Sequence, residues 1–323
     1  MDFSKKKILF IGPKFHDYEN MIMENFKKNG ASVDFFPERS YGFDFNFINN
    51  FFNRYLEKYQ INHYEKILKS INNKHYDYLF VIRGYLMPKS FLESFKRINP
   101  ESKTLMYQWD SERTNTFQNL IPFFDSVKTF DFKDSDDFKI KYVPLFYTKD
   151  IEEYHLKEKK IKFDFFFMGF FFEERYEAIL KFKKFCEING YSLKPFLYMP
   201  FTTRVKYFLK GRKLDRSIVS FIHMNRSEYL QTLSNTRIMV DVSNSRQTGL
   251  AMRVIESLAF CTKVATNNVF YKSDKLVEKS GMVALFDLEN IKIDKDFFEA
   301  EFKQDQKIVL SLEEWLKQIF FDR

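Results

Sequence analysis

Apolar residues return along this 323-residue chain in two alternating rhythms. A short run, Lys7–Gly12, reads as a strand, and Tyr18, Met21, Ile22 and Phe26 then recur at helical spacing until Asn29-Gly30 closes the helix. Ser32–Phe36 predicts a second strand, a helical stretch runs from about Phe47 to Asn72, and Tyr76–Ile82 predicts a third strand ending at Arg83-Gly84. Pro88–Ile98 reads as a helix and Thr104–Trp109 as a fourth strand that runs into Asp110-Ser111. Ser126–Phe130 and Lys141–Pro144 complete this set of strands. Strands alternating with helices make a parallel sheet covered on both faces.

The segment 149–162, KDIEEYHLKEKKIK, is densely charged and reads as an interdomain linker or a short surface helix. The rhythm then restarts with a strand at Phe163–Met168 meeting Gly169, and a helix at Glu173–Asn189 closed by Gly190. Strands are expected at Ser192–Tyr198, Ile218–Ile222, Arg237–Val242 and Lys263–Thr266. Ser227 is expected to cap a helix to Leu233, Gly249–Phe260 reads as a helix, and Ser311–Phe321 as a closing one. The expected fold is α/β, two Rossmann-like domains in tandem: 1–148, a linker at 149–162, 163–310, and the closing helix 311–323. The ligand site is expected in a cleft between the domains, at the carboxyl ends of the strands.

Charge sharpens the choice of partner. Lys and Arg number 52 against 44 Asp and Glu, a net +8 that favours anionic partners. The 42 phenylalanines fall mostly inside the periodic segments and read as core built from a biased codon pool. Cys186 and Cys261 cannot build a disulfide framework, and five scattered histidines suit no structural zinc site. The longest strongly apolar run, Phe165–Phe172, is far short of the roughly 20 residues that span a bilayer. The basic N-terminus lacks the apolar core of a signal peptide. A soluble protein of a reducing compartment is expected.

The sharpest segment runs from Asp241 through SNSRQTGLAMRVIES to Leu258: a strand, a polar loop and a helix start near Thr248-Gly249. Projected at about 100° per residue, Gly249, Arg253 and Glu256 fall within roughly 60° of one another, with Ala251, Val254, Ile255 and Leu258 opposite. Free N–H groups at the helix start and Arg253 can hold a diphosphate, and Glu256 can accept from ribose hydroxyls. The alternative is an ordinary surface pair of Arg253 and Glu256.

These residues carry a resemblance. The tandem βα domains and the QTGLAMRVIE–KVATNN stretch resemble the nucleotide-sugar site of GT-B glycosyltransferases. More narrowly, with Lys7–Gly12, Phe80–Gly84, Tyr107–Ser111 and Val143–Phe146, nearly the whole chain resembles the group 1-like (CgeB-related) set of bacterial lipopolysaccharide and capsule enzymes. The resemblance implies a C-terminal donor domain with Gly249, Arg253 and Glu256 as donor ligands, and an N-terminal acceptor domain. Retaining families often show two glutamates eight positions apart; Glu256 stands at the second, and Thr248 replaces the first.

Around that core stand further candidates. Gly169 ends a strand of the donor domain, and Arg175 can reach a diphosphate or be a solvated helix arginine. His223 lies where GT-B enzymes commonly read the base, or is a structural histidine; Asn267-Asn268 lines the pocket or makes a turn. In the acceptor domain Asp110 emerges from a strand end as the candidate base for an inverting transfer, or as a helix cap. His16 and Asp17 share that chemistry, and Arg83 can bind an anionic acceptor or pair with Asp110. Asp134-Ser-Asp136 matches an Asp-x-Asp metal motif in a domain of the wrong build, so no metal is expected. Gly12-Pro13 lacks the further glycines of a dinucleotide fingerprint, and there is no phosphate loop. Residues 203–216 are basic with an apolar Tyr-Phe-Leu, suited to an anionic membrane or to solvent.

The expectation is a cofactor-free, metal-independent glycosyltransferase, cytoplasmic and peripheral at the inner face of the membrane. It would move a sugar from a nucleoside-diphosphate sugar to a lipid-linked surface glycan such as lipopolysaccharide or capsule. Two alternatives are a phosphotransferase using a CDP-linked polyol and a basic non-catalytic nucleic-acid-binding protein. The 44 interleaved acids disfavour the second, and no nucleic-acid partner is expected.

Overall fold

The computed structural model describes residues 1–155, 160–301 and 308–322. They divide into two compact units, Met1–Pro144 with Leu312–Arg323, and Leu145–Ser311.

The first unit is built on a six-stranded parallel sheet. Its strands are β1 (Lys7–Gly12), β2 (Ser32–Pro37), β3 (Tyr78–Ile82), β4 (Lys103–Gln108), β5 (Ser126–Thr129) and β6 (Lys141–Tyr142), in the order β2-β1-β3-β4-β5-β6. Alternation along the strands covers both faces. Leu9, Ile11, Leu79 and Val81 form one core with Tyr64 and Ile67 of α3 (Leu56–Ile71) and Phe91 and Phe95 of α4 (Lys89–Ile98). Phe10 and Phe80 point to the other face, where Phe80 meets Phe26 of α1 (Tyr18–Lys28) at 6.0 Å between ring centres. Trp315 and Phe320 of the closing helix, α13 (Leu312–Phe320), pack on the same face against Tyr107 and Phe80.

The helix expected over 47–72 is two. α2 (Phe43–Phe51) stops at Phe52, and a single tight turn at Asn53–Tyr55 leads into α3. Asn49, Asn50 and Asn53 are weak helix formers because their side chains compete for the backbone.

The second unit holds β8 (Phe163–Phe170), β9 (Leu193–Tyr198), β10 (Val219–Ser220), β11 (Thr236–Asp241), β12 (Lys263–Thr266) and β13 (Val283–Leu285), all parallel, in the order β10-β9-β8-β11-β12-β13. Phe165, Phe167, Ile238 and Val240 make its core with Ile179 and Phe182 of α7 (Glu173–Asn189). The unit closes its own ends: β7 (Phe146–Tyr147) pairs with β14 (Leu310–Ser311). Its other helices are α6 (Lys149–His155), α8 (Phe201–Leu209), α9 (Arg226–Ser234), α10 (Met252–Ala259), α11 (Lys275–Lys279) and α12 (Lys295–Glu299), and α5 (Phe132–Phe138) belongs to the first unit. Of the charged segment 149–162, the described part is α6 of the second unit followed by extended chain, and residues 156–159 lie outside the described residues. Asn225, not Ser227, caps α9, its side chain accepting from the Glu228 N–H at 2.9 Å.

Both sheets are doubly wound α/β sheets of the Rossmann type. In each, successive strands are added outward in opposite directions from the first strand, so a crevice opens at the carboxyl ends where the order reverses. That point lies between β1 and β3 in the first unit and between β8 and β11 in the second.

Candidate functional site

At the reversal in the second unit, Gly169 lies near the end of β8 and Asp241 is the last residue of β11. Arg253, in the first turn of α10, spans the two strands. Its Nε donates to the Met168 carbonyl at 3.0 Å and its Nη1 to Asp241 Oδ1 at 2.6 Å. Asp241 is buried and also accepts from the Thr266 hydroxyl at 2.7 Å. Arg175, from the first turn of α7, comes to the same place and donates to the Phe170 carbonyl at 3.0 Å. A Cβ on Gly169 would stand 3.3 Å from Arg175 Nη1 and 3.5 Å from Arg253 Nη2, so the glycine gives both guanidiniums room.

Two guanidiniums therefore stand beside Gly169, and only that of Arg253 pairs with Asp241. Arg175 makes no ion pair among the described residues, and burial together with the charge of Arg253 pushes its pKa down. A desolvated cation held beside a like charge gains from any anion that enters.

The loop 242–251 is stapled from the neighbouring strand end. Asn268 is buried and donates to the Thr248 carbonyl at 2.9 Å, and Asn267 Oδ1 accepts from the Ser243 N–H at 2.8 Å. The pair thus positions the loop that carries Thr248 and Gly249, both buried. The helix itself starts later than its sequence pattern predicts. Ala251 is the extended N-cap (φ −68°, ψ 157°), so Gly249 lies in the loop and the helical projection does not reach it. No side chain caps this helix start.

Glu256 meets an arginine from another helix. It is buried and accepts from Arg226 Nη1 at 2.6 Å. Arg226 also donates through Nε to Asp150 Oδ2 at 2.8 Å and through Nη2 to the Thr148 hydroxyl at 3.0 Å. Arg253 and Glu256 are thus engaged by separate partners, and neither the expected surface pair nor a common stripe with Gly249 forms. Arg226, Asp150 and Thr148 carry no motif; an arginine directly after a capping asparagine gives only a weak signal.

His223 is exposed and stacks on Tyr198 at 3.5 Å between ring centres, with Phe170 edge-on at 6.1 Å. Phe170 and Tyr198 end β8 and β9. An aromatic shelf thus borders the two arginines at the carboxyl edge of the sheet.

The first unit fills its reversal point differently. Arg83, directly after β3, takes a left-handed backbone (φ 68°), and its carbonyl accepts from Gln108 Nε2 at 2.9 Å and Asn115 Nδ2 at 3.1 Å. Its guanidinium bonds Asp110 Oδ2 at 3.1 Å and pairs closely with Glu38. Glu38 is fully buried and also accepts from the Tyr85 N–H at 3.0 Å. Burial works against the charge of Arg83, but the carboxylates of Glu38 and Asp110 outweigh it and hold its pKa above the ordinary value. Of the two alternatives for Arg83, the pair with Asp110 is formed. Glu38 was not singled out from sequence, where it is one more acid after a strand.

His16 and Asp17 lie in the loop after β1, both left-handed (φ 50° and 67°). Phe15 and Tyr18 around them pack edge-on to Trp109 at 6.2 and 6.3 Å, which sets this loop beside the Asp110 loop. Asp17 accepts from Asn20 Nδ2 at 2.5 Å. Consecutive left-handed residues that are not glycine cost about 1–3 kcal/mol each and collect at working sites.

Asp134 of the Asp-x-Asp match is buried and accepts from the Glu112 N–H at 2.8 Å, while Asp131 caps α5. No group of three metal-ligating side chains occurs among the described residues. No helix among the described residues is long and apolar enough to cross a membrane.

No protein-family model matches the chain, and no curated protein sequence matches it. Among solved structures it is similar to S. aureus MnaA in complex with UDP, at 11% identity over 98% of this chain and 88% of that one, TM-score 0.49. It is similar to MurG of Acinetobacter baumannii at 10% identity over 89% and 87%, TM-score 0.46. A third likeness, to Neisseria meningitidis UDP-GlcNAc 2-epimerase bound to UDP-GlcNAc, has 9% identity over 86% and 87% and a TM-score of 0.48. The fold class rests on the two strand orders, and the site on the side chains described above.

Proposed function

We propose that this chain is a GT-B glycosyltransferase that takes a sugar from a nucleoside-diphosphate sugar and passes it to a lipid-linked surface glycan of the lipopolysaccharide or capsule kind. One observation carries the reading: at the strand reversal of the second unit, Arg175 and Arg253 come together beside Gly169, and only Arg253 is paired with a carboxylate among the described residues. The diphosphate would lie against these guanidiniums and the uncapped start of α10, with Thr248 and Gly249 shaping the loop beside it. The base would lie along the shelf of Phe170, Tyr198 and His223. As the glycosidic bond to the donor breaks, negative charge grows on the departing diphosphate, and the fixed guanidiniums stabilise it in place of a metal ion.

On the acceptor side an inverting transfer needs a base for the attacking hydroxyl. Asp110 suits it: Arg83 fixes one carboxylate oxygen, while Oδ1 accepts from no described residue. His16 would stand at the same edge as the second candidate for that proton, with Asp17 shaping its loop. Asp110→Asn would then lower the transfer rate by about 100-fold or more with donor binding retained.

The second unit suits work at a membrane. In α8 Phe201 (73%), Phe208 (80%) and Leu209 (77%) are exposed, interleaved with Arg204, Lys206 and Lys210. That helix, in the basic stretch 203–216, would rest on the anionic cytoplasmic leaflet and keep the enzyme peripheral to it.

Thermal stability against a panel of uridine, cytidine, guanosine, adenosine and thymidine diphosphates and their sugars tests the donor site. Ligand at 100 times its dissociation constant adds about 2.7 kcal/mol. A shift with one nucleotide family, lost in Arg175→Ala, is the expected result. No shift with any nucleotide at millimolar concentration would reject the reading.

A further inference from the structure

α2 carries an aromatic stripe that stands largely exposed among the described residues. Phe45 is buried and packs against Tyr59 and Tyr85 at ring distances of 6.1 and 6.3 Å, which fixes the helix to the unit. From the helix Phe43, Phe47 and Phe51 stand out at i, i+4 and i+8, exposed by 84%, 45% and 70%. Their rings touch in series, Phe43 to Phe47 at 6.1 Å and Phe47 to Phe51 at 5.4 Å. A run of this kind is held against water at a cost and marks an interaction surface.

Beside the stripe lies a cavity of about 640 Å³ lined by Lys14, Lys66 and Lys69. None of these lysines makes an ion pair among the described residues. Two acids share the cavity; Asp44 is engaged by Tyr59 and Ser40, which leaves Glu65 against three ammonium groups. The surplus is positive, next to a ring-bearing apolar edge. Phosphate headgroups over acyl chains present the complementary pattern, with aromatic rings at the boundary and lysines among the headgroups.

We infer that the first unit docks on an anionic phospholipid bilayer through the α2 stripe, with the lysines of the adjacent cavity among the headgroups. The helix that follows the second strand of the other unit, α8, shows the same exposed aromatic and basic character, so each unit would carry its own contact. This deepens the reading of a lipid-linked acceptor and rests on it for the choice of a membrane partner.

The test is co-sedimentation of the full chain with vesicles of phosphatidylglycerol and phosphatidylcholine, and of phosphatidylcholine alone. Phe43→Ser/Phe47→Ser/Phe51→Ser should lower the fraction bound to anionic vesicles at least fivefold with α8 intact. Lys14→Gln/Lys66→Gln/Lys69→Gln should do the same. Both triples change exposed side chains and should keep the thermal midpoint and any nucleotide-induced shift, so a failed donor site and a failed docking face give different results. Ile188→Ser, an exposed apolar change on α7, is the control and should bind as wild type. Wild-type binding by either triple overturns the inference. So does a dimer in light scattering that the aromatic triple dissolves while vesicle binding stays unchanged.

Discussion

The two units place opposite charge balances at the same topological point. In the second, two guanidiniums stand at one strand end and, among the described residues, only Arg253 pairs with a carboxylate, Asp241; in the first, one guanidinium, Arg83, is shared by two carboxylates, Glu38 and Asp110. A doubly wound sheet supplies a crevice and no chemistry of its own. The side chains at its strand ends decide whether the crevice attracts an anion or offers a carboxylate to a hydroxyl. On the proposed function, the second unit would hold the diphosphate and the first would take the acceptor's proton.

The largest expected effect breaks both balances at once. Arg253→Ala strands the buried Asp241 and Arg83→Ala strands the buried Glu38, so each should cost about 3–5 kcal/mol in urea unfolding. The comparison predicts that only the first also abolishes nucleotide-induced stabilisation. Adding Glu38→Gln to Arg83→Ala should recover much of the loss, because the orphaned charge is then gone.

A smaller pair of changes probes what the units share. Lys128 in β5 donates to the carbonyls of Gln318, Ile319 and Asp322 at 2.5, 2.9 and 2.7 Å. Lys263 in β12 donates to those of Phe297, Phe298 and Ala300 at 2.6, 2.7 and 2.7 Å. Each sits in the fifth strand of its sheet and caps the end of a helix, where the carbonyl dipoles favour a cation. Lys128→Met and Lys263→Met should each lower stability by about 2 kcal/mol, by a similar amount in both. A large loss in one and none in the other would end the parallel.

Gly169→Ala should cost about 1 kcal/mol in stability, since the Phe167 ring at 3.1 Å must give way, and more in nucleotide affinity as the Arg175 guanidinium at 3.3 Å is displaced. The smallest effect is one of pH. Burial pushes the Asp134 carboxyl up to about 6, from an ordinary 3.8. Between those values the folded chain keeps a proton that the unfolded chain releases, so this residue's contribution falls as pH rises from about 4 to 6. Asp134→Asn should flatten the thermal midpoint over that window.

Much of the architecture was legible because it is written in short periods. Lys7–Gly12, Glu173–Asn189 and Lys263–Thr266 form elements with the expected bounds, since an apolar run or a closing glycine marks each end. The start of α10 was not legible. Thr248-Gly249 looks like a cap, but Asn268 holds the Thr248 carbonyl and the chain stays extended until Ala251, a contact made across 20 residues. The convergence of Arg175 and Arg253 was half legible. Both were candidates, yet Asp241, the carboxylate that Arg253 pairs with, showed in sequence only as the end of a strand. The partner of Glu256 was not legible for the converse reason: Arg226 lies 30 residues away on another helix. Spacing reports neighbours along one element, whereas ion pairs between elements depend on the packing of the sheet.

The most direct test of the central claim is calorimetric binding of one nucleoside and its diphosphate to wild type and to Arg175→Ala. The wild type should bind the diphosphate at least 100-fold more tightly than the nucleoside, and Arg175→Ala should lose most of that difference while keeping its thermal midpoint. Equal affinities for nucleoside and diphosphate, or a diphosphate affinity untouched by the substitution, would contradict an anion site at the strand reversal of the second unit.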